Sequence, residues 1–243
     1  MELIPLNQPI IKHIVKHYHK LLIKLSCCDL CHQQANALPL LCRYCLHDLP
    51  LFHYQKIHND LLQWPAVARL IPKRSFDHLV CVAPYQFPFD NWLLQLKFNH
   101  RFELSKLLAN LLVMMNKRTH TVIQDTTLLV VPSHISTWRK RGYNQSHLIA
   151  RYFAKIVKCQ YLPHAISRVR QHASQVGYSG SQRRRLMAKD FTINQEVTFP
   201  KHVILFDDVV TTGTTVNIIS QLLKQHGVEA ITVMAIALSL PNA

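Results

Sequence analysis

The stretch HVILFDDVVTTGTTVNIISQLLKQHG, residues 202–227, narrows the fold more than any other part of this chain. HVILFDD reads as a buried strand that ends in two acids, Asp207 and Asp208. TTVNIISQLLKQHG then takes up a helical period, with Gly227 placed to close it as a C-terminal cap. The next run, VEAITVMAIAL, is apolar again and reads as another strand. Strand, helix and strand in direct succession form the crossover unit of a parallel sheet covered by helices.

The same alternation begins at Phe76. HLVCVAPY and TTLLVVP, the latter stopped by Pro132, read as strands, while WLLQLKFNHRFELSKLLANLLVMMNK and NQSHLIARYFAKIVK are helical in period. We therefore expect an α/β domain with a mostly parallel sheet over residues 76–243. Residues 1–75 form an N-terminal region: an amphipathic helix around Ile10, Ile11, Ile14 and Val15, a cysteine-rich module, and a helix-like connector punctuated by Pro65 and Pro72. The helix is expected to pack on its own domain, with a membrane or partner surface as the alternative. A chain of 243 residues can hold one sizeable core plus such a module. No apolar run approaches the ~18 residues that span a bilayer. The N-terminus also lacks the layout of a secretion signal, so the expected location is the cytoplasm.

Five of the seven cysteines fall in CCDLCHQQANALPLLCRYC. Cys28 and Cys31, then Cys42 and Cys45, make two Cys-x-x-Cys turns, each aiming two thiolates at one centre. In a chain without a secretion signal disulfides are disfavoured. The spacing predicts one structural Zn²⁺, fully ligated by protein and with no position left for substrate. A reduced, metal-free hairpin is the other reading, and Cys27 competes with Cys28 as ligand. Cys81 and Cys159 lie among apolar residues and read as core.

In an open α/β sheet, ligands bind beyond the carboxyl ends of the strands, where Asp207 and Asp208 fall. The turn Thr211-Thr212-Gly213-Thr214-Thr215 opens the next helix, so its amides, hydroxyls and dipole face an anion. The acids would repel a phosphate and suit neutral sugar hydroxyls. A sugar diol beside a phosphate describes a ribose 5-phosphate. The alternative is a strand end whose acids cap the following helix, with the threonines as turn formers.

VILFDDVVTTGTT resembles the motif by which type I phosphoribosyltransferases bind phosphoribosyl pyrophosphate (PRPP). PSHISTWRKRGYNQS, RVRQHASQVGYSGSQRRRLMAKDF, WLLQLKFNHRFEL and the four-cysteine knuckle together resemble the bacterial ComF/GntX-like family, from about Cys27 to the end. The resemblance implies a type I phosphoribosyltransferase domain carrying a small N-terminal zinc finger, with Asp207 and Asp208 on the ribose hydroxyls and Thr211 to Thr215 on the 5-phosphate. It also implies Mg²⁺ bound with PRPP, and a part in DNA uptake during natural transformation, with competence proteins as possible partners. The loop after TLLVVP would hold pyrophosphate through Ser133, His134, Arg139 and Arg141. A lid is implied over 164–190, with Gly177 and Gly180 as hinges and Arg168 or Arg170 reaching inward.

The net charge of +15, from 28 Lys and Arg against 13 Asp and Glu, points to a polyanionic partner. From Thr126 through Lys189 there is no acid. The cations there exceed what one ligand needs. Arg139, Lys140 and Arg141, close to Tyr143, and the run Arg183, Arg184, Arg185 have the makeup of a single-stranded DNA contact surface. A solvated helix face is the alternative for the triple arginine, and a helix start capped by Asn144 for the first cluster. No base-recognition element is legible, so the acceptor, and whether there is turnover, stay open. Two other functions fit the same residues: a small-molecule phosphoribosyltransferase forming an N-glycoside and releasing pyrophosphate, and a nucleic-acid-binding module whose PRPP site is vestigial or regulatory.

Overall fold

A computed structural model describes residues 27–119, 126–133, 141–169 and 190–241. Contacts divide the chain into a unit ending at Leu49 and a unit beginning at Pro50, where the sequence reading drew the line after Ser75. The expected N-terminal helix lies outside the described residues.

In the first unit, Cys28 to Leu41 is held by turns and bridges. The Cys28 amide donates to the Gln33 carbonyl at 2.6 Å and the Asp29 amide to the Leu40 carbonyl at 2.9 Å. One short helix follows, α1 (Arg43–His47), capped by the Cys42 sulfur, which accepts from the Cys45 amide. Few apolar side chains are buried in this stretch, chiefly Ala35, Leu41 and Leu49.

The second unit opens with the connector, which holds two 3-10 turns and α2 (Pro65–Leu70). Buried polar bonds pin it to the first strand, β1 (His78–Pro84). The Tyr54 hydroxyl donates to the Cys81 carbonyl and accepts from the Cys81 amide, both at 2.7 Å. Asp60 accepts from the amides of Leu62 and Leu79. The 50–75 segment thus belongs with the sheet, because its buried polar groups find their partners there.

The single helical pattern expected after β1 is two helices, α3 (Phe89–Phe98) and α4 (Glu103–Thr119). His100 between them takes a left-handed φ of 54°. Arg101 braces the corner, donating to Gln95 at 2.6 Å and to Glu103 at 2.9 Å. Both halves bury an apolar face, so the periodicity hid the break. Then come β2 (Thr127–Val130), α5 (Gln145–Val157), β3 (Gln160–Tyr161), β4 (Ile166–Arg168), β5 (Phe191–Ile193), β6 (His202–Val210), α6 (Thr214–Gln225) and β7 (Ala230–Leu238). The short β4 and β5 pair antiparallel as a separate ribbon.

The main sheet has five strands in the order β1-β7-β6-β2-β3, every described pairing parallel. This is the α/β architecture expected. Its centre is dry: Leu205, Phe206, Val233 and Met234 are fully buried. α4 packs on α5 and β1 through Leu104, Leu107, Leu108, Leu111 and Leu112, a helical spacing on one face. β2 leads through α5 to β3, and β6 leads through α6 to β7 in the opposite direction. Right-handed crossovers therefore put α5 and α6 on opposite faces. α6 ends as expected just before Gly227, whose φ of 88° lets the chain turn away.

Gly213 carries a double constraint. Its φ is 69°, and a Cβ there would meet the Ile71 side chain at 3.0 Å. Gly213→Ala is expected to lower unfolding free energy by about 1–2 kcal/mol for the left-handed backbone alone. A double-mutant cycle with Ile71→Ala, read by denaturant unfolding, should show coupling between the two sites; strict additivity would place the cost in the backbone alone.

Candidate functional site

β6 presents Asp207 and Asp208 just where its ladder with β2 ends. That ladder runs from Thr127–Val203 to Val130–Phe206, and the Val131 amide makes a last bond to the Phe206 carbonyl at 2.9 Å. On its other side β6 continues to pair with β7 as far as Val210–Leu238. The acids are thus fixed by one ladder and open on the other edge. Because β2 and β6 send their crossovers in opposite directions, their carboxyl ends form the switch point where α/β sheets take ligands.

Asp207 and Thr211 to Thr215 line one hollow, together with Val209, Val210 and Val216. The hydroxyls of Thr212 and Thr214 are 2.9 Å apart and hydrogen-bonded. Gly213 is the residue before α6, so the first amides of that helix, which have no intrahelical partner, open at this hollow.

Asp208 is held by the start of α5. Gln145 Nε2 donates to Oδ2 at 3.0 Å and Ser146 Oγ donates to Oδ1 at 3.3 Å, both from buried side chains. Arg141 Nη1 donates in turn to Gln145 Oε1 at 3.0 Å. Asn144 caps α5 by accepting from the Ser146 amide, so the cap expected at this position exists alongside the link to the acids. Asp207 accepts the Asp208 amide at 2.9 Å. Burial, then the charge of Asp208 and its side-chain hydrogen bond, push the Asp207 carboxyl well above its ordinary range, while Lys97 pulls the other way. Burial and the charges of Asp90 and Asp208 likewise push the Tyr85 hydroxyl up.

Of the other residues singled out in the sequence, Ser133 is half-buried just beyond the carboxyl end of β2. Tyr143 packs on the α3–α4 corner, its hydroxyl donating to the Leu96 carbonyl. Arg168 lies over the Phe191 ring at 5.3 Å, with its guanidinium 3.8 Å from Asp190. His134, Arg139, Lys140, Arg170, Gly177, Gly180, Arg183, Arg184 and Arg185 lie outside the described residues. Gln145, Ser146 and Lys97 were not assigned to the acids from sequence. The cap at Asn144 signalled a helix start, but nothing in the string tied it to acids more than sixty positions away.

The sulfurs of Cys28, Cys31, Cys42 and Cys45 all lie within 4.8 Å of one another, with Cys31 and Cys42 only 3.6 Å apart. A tetrahedral site with Zn–S near 2.3 Å has sulfur–sulfur edges of about 3.8 Å, so these four could hold a metal ion. Cys27 stands apart, exposed and bridged to Gln34. Burial would raise the Cys28 thiol, yet the amides of Cys31, Cys42 and Leu30 and the Cys31 side chain bring it down to about 6. Cys45 is pushed up by burial and by the other three sulfurs. A bound dication would relieve the repulsion between thiolates gathered this closely.

No protein-family model matches the chain. It is 32% identical over 220 residues to competence protein F of Haemophilus influenzae, covering 88% of this chain and 91% of that one. It is 31% identical over 216 residues to DNA utilization protein YhgH of Escherichia coli K12, covering 88% and 90%. Competence protein ComFC of Streptococcus pneumoniae matches at 29% over 132 residues, 54% of each chain.

Because Asp207 ionises at higher pH in the folded chain than the ordinary 3.8, the native state holds the extra proton and loses stability as pH rises from that value through the raised one. Asp207→Asn keeps an acceptor for the Asp208 amide and removes the charge. It should raise the melting temperature at pH 7, with the gain vanishing below the ordinary carboxylate value. A lower melting temperature at pH 7 would mean that the attraction to Lys97 outweighs burial.

Proposed function

The chain belongs to the ComF-like family of competence protein F and YhgH, and from that premise we propose that it binds Mg²⁺-PRPP and acts on single-stranded DNA during uptake. The observation that carries the ligand is Asp207 of β6 lining one hollow with the turn that opens α6, with Asp208 adjacent in the strand. The acids accept hydrogen bonds from the ribose hydroxyls. The Thr211 to Thr215 turn and the N-terminus of α6 take the 5-phosphate. Ser133 and Arg141, with His134 and Arg139, hold the pyrophosphate. Mg²⁺ arriving with the pyrophosphate would find oxygen donors of the kind it takes in the adjacent carboxyls of Asp207 and Asp208.

The DNA role is supported by the relatives, whose names speak of competence and DNA utilization, and by the charge of +15. We assign the four-cysteine cluster to one structural Zn²⁺, which holds together a stretch whose described residues bury few apolar side chains.

Calorimetry with PRPP and Mg²⁺ tests the ligand. Replacing Asp207 and Asp208 together by Asn should weaken binding by about tenfold or more, since one charge-assisted hydrogen bond contributes roughly 1.5–3 kcal/mol. Equal affinity in the double variant would refute the diol contacts. For the metal, elemental analysis of gently purified protein should find one zinc per chain, kept in Cys27→Ser and lost in Cys42→Ser. Zinc-free wild type, or zinc lost in Cys27→Ser, would overturn the assignment.

A further inference from the structure

The corner between α3 and α4 carries aromatic rings that the core does not use. Phe98 is 57% exposed and Phe102 46%. They are not loose hydrophobics. Phe102 packs edge-on to Tyr143 with ring centroids 4.8 Å apart, and His100 lies 5.5 Å from the same Tyr143 ring. The Tyr143 hydroxyl is tied to the Leu96 carbonyl, which locks the rings to the helix end. Cations flank Phe98: Arg141 Cζ lies 5.0 Å from the ring centroid and Lys97 Nζ 5.4 Å. The acid at this corner, Glu103, is paired with Arg101 at 2.9 Å.

Exposed rings interleaved with cations are the surface that binds single strands, because every base has a π face and every nucleotide a phosphate. The position of this surface matters as much as its makeup. Arg141, at the Phe98 ring, donates to Gln145, and Gln145 donates to Asp208. One cation–π contact and two hydrogen bonds therefore join the Phe98 ring to Asp208. We propose that Phe98, at the same helix corner as the Phe102–Tyr143 pair, is a stacking platform for a nucleobase of single-stranded DNA, with Lys97 on the adjoining phosphate. The proposal rests on the single-strand reading above and deepens it. It names where a base stacks, next to the ribose-phosphate site, using residues separate from the hollow at Thr211 to Thr215.

Stacking and charge contact respond differently to salt and to the loss of bases, which makes the platform testable in the full chain. Fluorescence anisotropy would compare labelled oligo(dT) with an abasic strand of equal length, across a salt series, for wild type, Phe98→Ala and Phe98→Trp. Calorimetry with Mg²⁺-PRPP would run in parallel. Loss of one stacked base should weaken oligo(dT) binding of Phe98→Ala by about 5- to 150-fold. Its affinity for the abasic strand and its salt slope should stay at wild-type values, because no ionic contact is lost. Phe98→Trp should restore oligo(dT) affinity. The platform is overturned if Phe98→Ala binds oligo(dT) like wild type, or if it loses abasic and base-bearing strands equally. A wild type that binds PRPP but neither strand overturns the single-strand reading and the platform with it. A wild type that binds oligo(dT) but not PRPP overturns the ligand reading and leaves the platform to the Phe98 comparison.

Discussion

β2 and β6 stop pairing after Val130 and Phe206, while β6 continues along β7 to Val210. Buried backbone groups must be paired, so a strand that leaves one neighbour is kept straight by the other. β7 does this for β6, and the freed edge becomes the crevice. The N-terminus of α6 opens at that edge through the threonine turn, and Gln145 and Ser146 bring the N-terminus of α5 to the same acids from the other face. Two helix dipoles thus point their positive ends at one place. Such a place favours negatively charged groups.

The arrangement stores unfavourable energy at the site and offsets it elsewhere. Asp207 is held against burial and against its neighbour's charge. Gly213 occupies a left-handed backbone hard against Ile71. Neither would persist on a loosely held strand. Around them the central strands are dry, and the connector is fastened to β1 by Tyr54 and Asp60 through buried hydrogen bonds with no slack. Ile71 belongs to that connector, so the segment pinned at the outer strand also shapes the turn at the far side of the site.

The four-cysteine unit solves a different problem. Its described residues, 27–49, bury few apolar side chains, and four sulfurs are gathered at one point. In the larger unit, removing one side chain leaves a cavity that neighbours partly fill. In the smaller one, the four sulfurs could hold a metal ion, and a lost thiolate would remove one of the four possible ligands.

What was legible in the sequence was what local pattern can carry. Strands β1, β2, β6 and β7, helices α5 and α6, the cysteine spacing and the acid–threonine turn each declare themselves within about a dozen residues. β3, β4 and β5 did not, because two or three residues are too few to show a period, and the break at His100 was masked by apolar faces on both sides of it. The sequence by itself determined a buried strand carrying two adjacent acids before a threonine–glycine turn, and four thiols at metal spacing; the strand runs two residues beyond the acids, to Val210. Only the tertiary structure decided that Gln145 and Ser146 hold Asp208, that Lys97 works on Asp207, and that Phe98 shares Arg141 with the site. Those pairs lie far apart along the chain. Their meeting is set by strand order and crossover direction, which no local pattern encodes.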